Sequence, residues 1–249
     1  MKAVILGATR GIGRSLSRLL AEHGHDVFLL GIGDDDLAAS SVDVKERAGG
    51  VSSPVKVGSA VCDLEQPETF APALDAAHSY LGGFDTVIVT AGLFATQDRL
   101  EDDIEFTRRL LTVNYAHTVV FLEHARKRLL ANGGGTLCAF SSVAGDRGRK
   151  PVVLYGSSKA GLSAYLEGLD HKYRAQGLVT VCVKPGFVKT GMTEGLPVPP
   201  FAGTPEQVAK DVFSAITKRS PMVYTPFMWR WVMLVIRLLP RFVMRKIGF

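Results

Sequence analysis

Short, almost continuous apolar runs alternate along this chain with longer stretches whose apolar positions recur every three or four residues. Lys2–Leu6, Val27–Leu30, Val57–Cys62, Thr86–Thr90, Thr136–Phe140 and Val179–Val183 lack the alternation of a half-exposed strand, so they predict strands buried on both faces. The stretches between them predict helices over 12–23, 34–48, 67–80, 101–131 and 154–176. Strands separated by helices of that length predict an α/β fold, a doubly wound parallel sheet of Rossmann-like form with right-handed crossovers. One domain accounts for residues 1–215, and 216–249 reads as a basic, apolar helical extension. The Pro- and Gly-rich piece 186–205 follows a strand and is expected to form a lid over the substrate.

Composition narrows the class. With 249 residues, 47% hydrophobic and 21% charged, the chain is neither disordered, collagen-like nor a coiled coil. Cys62, Cys138 and Cys182 are odd in number and lack CxxC spacing, which argues against a disulfide scaffold or a zinc module. Lys2 leads into a short apolar run that meets Gly7, unlike a signal peptide, and a cytoplasmic compartment is expected. The net charge of +5 is uneven: between Val212 and Phe249 there are seven basic residues and no acid. The basic balance therefore belongs to the tail, and no recognition-helix, zinc-finger or RNP pattern points to nucleic acid. His23 and His25 form an HxH in the link after the first helix, but no acid–His cluster completes a ligand set, so no metal is expected.

The segment Lys2-Ala-Val-Ile-Leu-Gly-Ala-Thr-Arg-Gly-Ile-Gly13 carries a strand into a helix through Gly7, Gly11 and Gly13. A turn this tight can bring a pyrophosphate against free backbone N–H groups at a helix N-terminus, where the helix dipole favours negative charge. Further along, Tyr155 and Lys159 stand four apart, on one face of a predicted helix. An unperturbed tyrosine titrates near ~10, and a neighbouring ammonium is expected to lower that value, making the phenol a usable general acid or base.

The GxxxGxG spacing of GATRGIG resembles the short-chain dehydrogenase/reductase family, and the resemblance runs in order over residues 1–211. Asp63 in Val-Cys-Asp-Leu, Ala91-Gly92 at the end of the fourth strand, and Asn114 in Thr-Val-Asn-Tyr fall where that family has motifs. So do Ser142 in Phe-Ser-Ser-Val, the Tyr155…Lys159 pair and Pro185-Gly186-Phe-Val188-Lys-Thr190. Val89 and Thr90 replace the family's usual asparagines. The resemblance implies a catalytic set of Asn114, Ser142, Tyr155 and Lys159. Ser142 would hydrogen-bond the substrate oxygen, Lys159 would also hold the nicotinamide ribose, and Asn114 would anchor a water relaying protons to Lys159. Ser141 competes with Ser142, and the 13-residue spacing to the tyrosine favours Ser142. The implied cofactor contacts are Gly7, Thr9, Arg10, Gly11, Ile12, Gly13, Asp63, Ala91, Gly92, Tyr155, Lys159, Pro185, Gly186, Val188 and Thr190, with Asp63 at the adenine amino group. Gly31 ends the second strand where an NAD enzyme usually has an acid, and Arg10 can pair with a 2′-phosphate, so NADP(H) is expected. Ile32 and the acids Asp34, Asp35 and Asp36 nearby leave NAD open.

The tail, Pro226 to Pro240, is apolar but interrupted at Arg230 and Arg237. Its uninterrupted stretch is far short of the ~20 residues that span a bilayer, whereas tryptophans, Met and Leu beside a basic strip suit a membrane interface. Arg230, Arg237 and Arg241 fall on one strip of a helical wheel if Pro240 keeps the phase. Packing on the domain or on a sister subunit is the alternative. The tail, and the loop Ser-Ser-Val-Ala-Gly-Asp-Arg-Gly-Arg-Lys150, also resemble decaprenylphosphoryl-2-keto-ribose reductases, which implies Arg147, Arg149 and Lys150 at the site's mouth. The resulting expectation is an NADP(H)-dependent oxidoreductase interconverting ketone and secondary alcohol. Its favoured substrate is a keto-sugar on a polyprenyl phosphate, met at the inner face of the cytoplasmic membrane through peripheral contact by 222–249. A reductase of a small free ketone or carrier-bound ketoester, and a non-catalytic nucleotide-binding regulator, are the alternatives. The family resemblance further implies a homodimer or homotetramer.

Overall fold

The computed structural model describes residues 1–51 and 54–247. Seven parallel strands form one sheet in the order β3-β2-β1-β4-β5-β6-β7: β1 Lys2–Leu6, β2 Asp26–Gly31, β3 Val57–Val61, β4 Thr86–Val89, β5 Gly135–Phe140, β6 Leu178–Pro185 and β7 Met222–Thr225. The continuous apolar runs have a simple cause. Side chains alternate across the pleat, so Val4 and Leu6 of β1 enter one core while Ala3 and Ile5 enter the other. Both faces are covered, so both sets must be apolar.

On the first face lie α3 (Phe70–Leu81), α6 (Thr118–Ala131) and α7 (Val153–Tyr173), burying Phe70, Leu74, Phe121, Leu122, Leu162 and Leu166. On the second lie α1 (Gly11–Glu22), α2 (Asp34–Arg47) and α8 (Pro205–Thr217), burying Leu16, Leu20, Leu37 and Val208. The order turns at β1, where the chain next pairs β4 on the side opposite β2. Ligands of open α/β sheets bind at the carboxyl ends of strands beside such a switch point.

The structure departs from the pattern-based expectation in three places. The stretch expected as one helix over 101–131 is α4 (Gln97–Asp102), α5 (Ile104–Leu111), a π-helical turn Thr112–His117 and α6. Asp103 ends the first and caps the second, its Oδ1 accepting from the Phe106 N–H at 2.9 Å. Second, α8 and β7 were not expected, and the division at residue 215 falls inside α8. β7 pairs with β6 from Cys182↔Met222 to Pro185↔Thr225, so the segment read as an extension contributes a strand to the sheet. Four residues at a sheet edge, Met222 exposed, leave no long apolar run to read. Third, α9 (Met228–Leu238) stops before Pro240 and a short α10 (Arg241–Met244) follows. Pro240 breaks the phase, so Arg241 does not continue the strip of Arg230 and Arg237.

Candidate active site

At the carboxyl end of β1 the glycine turn is built by contact rather than by flexibility alone. A methyl group on Gly13 would meet the Gly7 carbonyl oxygen at 2.0 Å and Thr90 Oγ1 at 2.6 Å. The first helix therefore packs on the strand end at a distance that only glycine permits. Thr90, standing where the resemblance led one to expect asparagine, donates its hydroxyl to the Leu6 and Gly7 carbonyls at 3.1 Å each and staples β4 to the turn. Gly11 differs from both. It has φ +51°, and the nearest atom to a methyl placed there is the Thr190 side chain at 3.6 Å. Arg10 precedes α1 without capping it, so the first-turn N–H groups of Gly11, Ile12 and Gly13 are left for an anion. The turn thus has room and donors for a pyrophosphate, with Thr190 across from it. Thr9 is buried behind the turn.

The cofactor's adenosine end would meet two further groups. Asp63 is fixed just past β3, its Oδ1 accepting from the Glu65 N–H at 2.9 Å. Gly31 at the end of β2 lies against Thr9 and Leu37, and no carboxylate stands there. Arg10 instead pairs with Asp36 of α2 at 2.7 Å, both side chains exposed.

The chemistry-bearing residues converge at the ends of β4, β5 and β6. Tyr155 and Lys159 lie one turn apart on α7. Lys159 is buried and donates from Nζ to the Phe140 carbonyl at 2.8 Å, and its Nζ stands 5.7 Å from the Tyr155 ring centroid. Ser142 and Ser141 are separated by their partners. Ser141 Oγ donates to the Lys159 carbonyl and shares a hydrogen bond with Ser163, which commits it to holding β5 on α7. Ser142 Oγ accepts from the Ala144 N–H at 3.1 Å and reaches the Pro185 carbonyl only at 3.5 Å. A bond that long is weak, so the Ser142 hydroxyl is turned instead to Tyr155, with which it also hydrogen-bonds.

Burial, rather than the lysine charge, sets the protonation of this pair. Desolvation pushes the Tyr155 phenol up to about 12, with a hydrogen bond to Ser142 pulling it partly back. Desolvation likewise pushes Lys159 down to about 8. The expected lowering of the tyrosine by the ammonium does not hold here, because the ammonium is turned to Phe140 and the phenolate would lose its water.

Asn114 sits buried in the π-helical turn. Its Oδ1 accepts from the Leu93 N–H at 2.7 Å and its Nδ2 donates to the Leu93 carbonyl at 2.8 Å. The side chain thereby holds the loop after β4. That loop presents Ala91 and Gly92, and a methyl on Gly92 would lie 3.0 Å from Asn114 Oδ1 and 3.6 Å from Lys159 Nζ. The loop also carries Phe94, whose ring meets Tyr155 edge-on at 5.0 Å.

The C-terminal segment packs on the domain, the alternative its sequence offered, and does so beside Val143 and Gly186. Trp229 of α9 lies against Gly186, where a methyl would meet its Nε1 at 2.0 Å. Its Nε1 donates to the Phe201 carbonyl at 3.3 Å, which ties α9 to the segment expected as a lid. That segment is folded back on itself by Gly203 N–H to Phe187 carbonyl and Lys189 N–H to Gly203 carbonyl bonds, with Val188 bridging Gly203. Met233 and Ile236 pack with Val143, the neighbour of Ser142, and with Tyr224. Beneath them Lys184 and Asp146 form a buried ion pair at 2.5 Å, and the Tyr224 hydroxyl donates to the other Asp146 oxygen at 2.6 Å. Arg147, expected at the mouth, donates to the Leu239 carbonyl at 2.9 Å and straps the serine loop to the tail. His23 and His25 lie tilted against Phe213, away from all of this.

Comparison with known proteins shows the family and the fold. Residues 1–198 match the family described as short chain dehydrogenase. An uncharacterised oxidoreductase of Mycobacterium tuberculosis is 33% identical over 243 residues, covering 98% of this chain and 95% of that protein. The cis-4-hydroxycyclohexanecarboxylate dehydrogenase of Sinomonas cyclohexanicum is 29% identical, covering 78% of this chain and 76% of its own. Among solved structures, an actinorhodin polyketide ketoreductase variant determined with NADPH superposes with a TM-score of 0.79 at 20% identity, over 90% of this chain and 95% of that one.

Proposed function

This chain belongs to the short chain dehydrogenase family of oxidoreductases, and on that premise we propose that it reduces a ketone to a secondary alcohol with NADPH. The observation carrying this reading is half-buried Tyr155 standing beside Ser142 and one helical turn from buried Lys159. A phenol pushed up to about 12 keeps its proton at neutral pH, which suits it to give that proton to a carbonyl oxygen and makes it a poor base for the reverse step. Ser142 donates to the same oxygen and stabilises the negative charge that develops on it. Lys159, pushed down to about 8, is still mostly protonated at neutral pH and supplies positive charge one helical turn from the phenol. Phe94 packs edge-on against Tyr155, and Trp229 packs against Gly186. Asn114 acts as a positioning residue through Leu93. When bound, the nicotinamide cofactor supplies the hydride.

The residues present fit such a cofactor. Gly11, Ile12 and Gly13 with Thr190 would hold the pyrophosphate, Asp63 the adenine, and Lys159 with Gly92 and Gly186 would flank the nicotinamide end. The absence of a carboxylate at Gly31 and the position of Arg10 support NADP(H) over NAD(H). Asp36 holds Arg10 in place, and a 2′-phosphate would take over that partnership.

For the substrate, a keto-sugar carried on polyprenyl phosphate remains the favoured form. Lys150 is exposed in the turn that leads into α7, within reach of a phosphate approaching Tyr155, and the wall opposite is the apolar α9. The name of the Sinomonas relative supports a second reading, a free cyclic ketone. The test is to supply purified protein with deuterium-labelled NADPH and a membrane-lipid extract, then search for the product by mass spectrometry. One deuterium on a phosphate-bearing prenyl lipid is expected. Labelling confined to water-soluble ketones would replace the first reading with the second.

A further inference from the structure

Helix α9 has two apolar faces, and only one is used. Met233 and Ile236, with Trp229 and Val232, face the domain. Phe227, Met228, Trp231, Leu234, Val235 and Leu238 face out, Trp231 with 53% and Leu238 with 76% of their surface exposed, and Phe242 of α10 adds 65%. Large side chains so grouped are unusual on a monomer's surface. Arg230 and Arg237 are seven residues apart and line one edge of this face. Arg241, Arg245 and Lys246 follow, all exposed, and none of the ion pairs among the described residues includes any of these five cations.

From this we infer that the outer face of α9 and α10 docks on an anionic lipid bilayer, lying in the headgroup layer without crossing it. The charge decides the occupant. A second copy meeting this face across a two-fold axis would bring Arg230, Arg237 and Arg241 against a surface of the same sign, with no acid from Val212 onward to relieve it. Acidic headgroups complement the edge, while Trp231, Leu238 and Phe242 suit the boundary with the acyl chains. Eleven residues of helix reach only about 16 Å, and no helix among the described residues is long and apolar enough to cross a membrane. The docking uses no catalytic or cofactor-binding residue, so it stands or falls apart from the reductase reading. It has one consequence for that reading: the inner face of the same helix walls the site, so a docked bilayer lies about one helix diameter (~10 Å) from it.

Flotation of the full chain with vesicles tests this. The probes are phosphatidylcholine with 30 mol% phosphatidylglycerol (about one lipid in three anionic) and phosphatidylcholine alone. Binding at least about tenfold tighter to the anionic vesicles is expected, weakening steeply as salt shortens electrostatic reach. Arg230→Gln with Arg241→Gln should lower it about fivefold per arginine. Trp231→Glu with Leu238→Glu should abolish it while the circular dichroism spectrum and NADPH binding stay unchanged. Since the chain has two tryptophans, Trp229→Phe leaves Trp231 as reporter, and its emission should shift to the blue on anionic vesicles. Equal flotation with both vesicles, no flotation, or flotation that survives Trp231→Glu with Leu238→Glu would overturn the inference. So would a dimer, seen by light scattering, that this double substitution converts to monomer while vesicles have no effect, since the face would then join two copies.

Discussion

The two sides of Tyr155 are held together by different physics. On the nucleotide side, around β1 and β4, the fit is made by backbone against backbone: Gly13 lies on the Gly7 carbonyl and Thr90 clasps two carbonyls. On the substrate side, around β6, β7 and α9, the fit is made by side chains from distant parts of the chain: Asp146 with Lys184 and Tyr224, Trp229 over Gly186, Arg147 on Leu239. The first kind of construction fixes a shape that every dinucleotide shares. The second leaves the wall free to differ between relatives without disturbing the hydride-transfer geometry.

This contrast can be broken from either side. The largest effect is expected from removing a partner on the substrate side. Asp146→Ala leaves Lys184 buried without its counter-charge, and should cost about 3–5 kcal/mol of stability, measured by urea unfolding. If the loss is under ~1 kcal/mol, the ion pair is not what holds this wall. Next comes adding atoms on the nucleotide side. Gly13→Ala forces a methyl into the Gly7 carbonyl, and should cost about 1–3 kcal/mol and remove NADPH binding by calorimetry. Smallest is a change at the rim, where Arg10 and Asp36 are exposed. Arg10→Ala should lower the NADPH-over-NADH preference in kcat/KM by about tenfold, as loss of one charge-assisted contact. Asp36→Asn should raise that preference by freeing the guanidinium. The opposite sign in either variant would move the 2′-phosphate contact elsewhere.

The same division explains what could be read in the sequence. The glycine turn is local, so its spacing announced both the bend and its purpose, and Tyr155 with Lys159 announced a shared helix face. The five inner strands were legible because burial on both faces leaves few polar positions, whereas β3 lies at one edge with Ser59 and Val61 exposed. The substrate wall was not legible, since its contacts join residues 38 positions apart at Asp146–Lys184 and 92 apart at Arg147–Leu239. β7 was hidden by being short and at the edge. Asn114 could be placed but its partner could not, because Leu93 offers only backbone. The protonation of the pair was misjudged for a related reason. Spacing brings an ammonium near a phenol on paper, whereas folding buries that ammonium against Phe140 and leaves the phenol half-buried.

The central claim is that burial sets Tyr155 and Lys159 for giving a proton to a ketone. The direct measurement is kcat for NADPH-dependent ketone reduction against pH, in the unaltered protein and in Tyr155→Phe. Because Lys159 is pushed down to about 8, it loses its charge as pH rises through that value, and kcat should fall above it by about tenfold per unit at most, as for one proton lost. Tyr155→Phe should bind NADPH normally and reduce ketone about 10²–10⁴-fold more slowly at neutral pH. Unchanged reduction by Tyr155→Phe would contradict the account and require a different proton donor at this site.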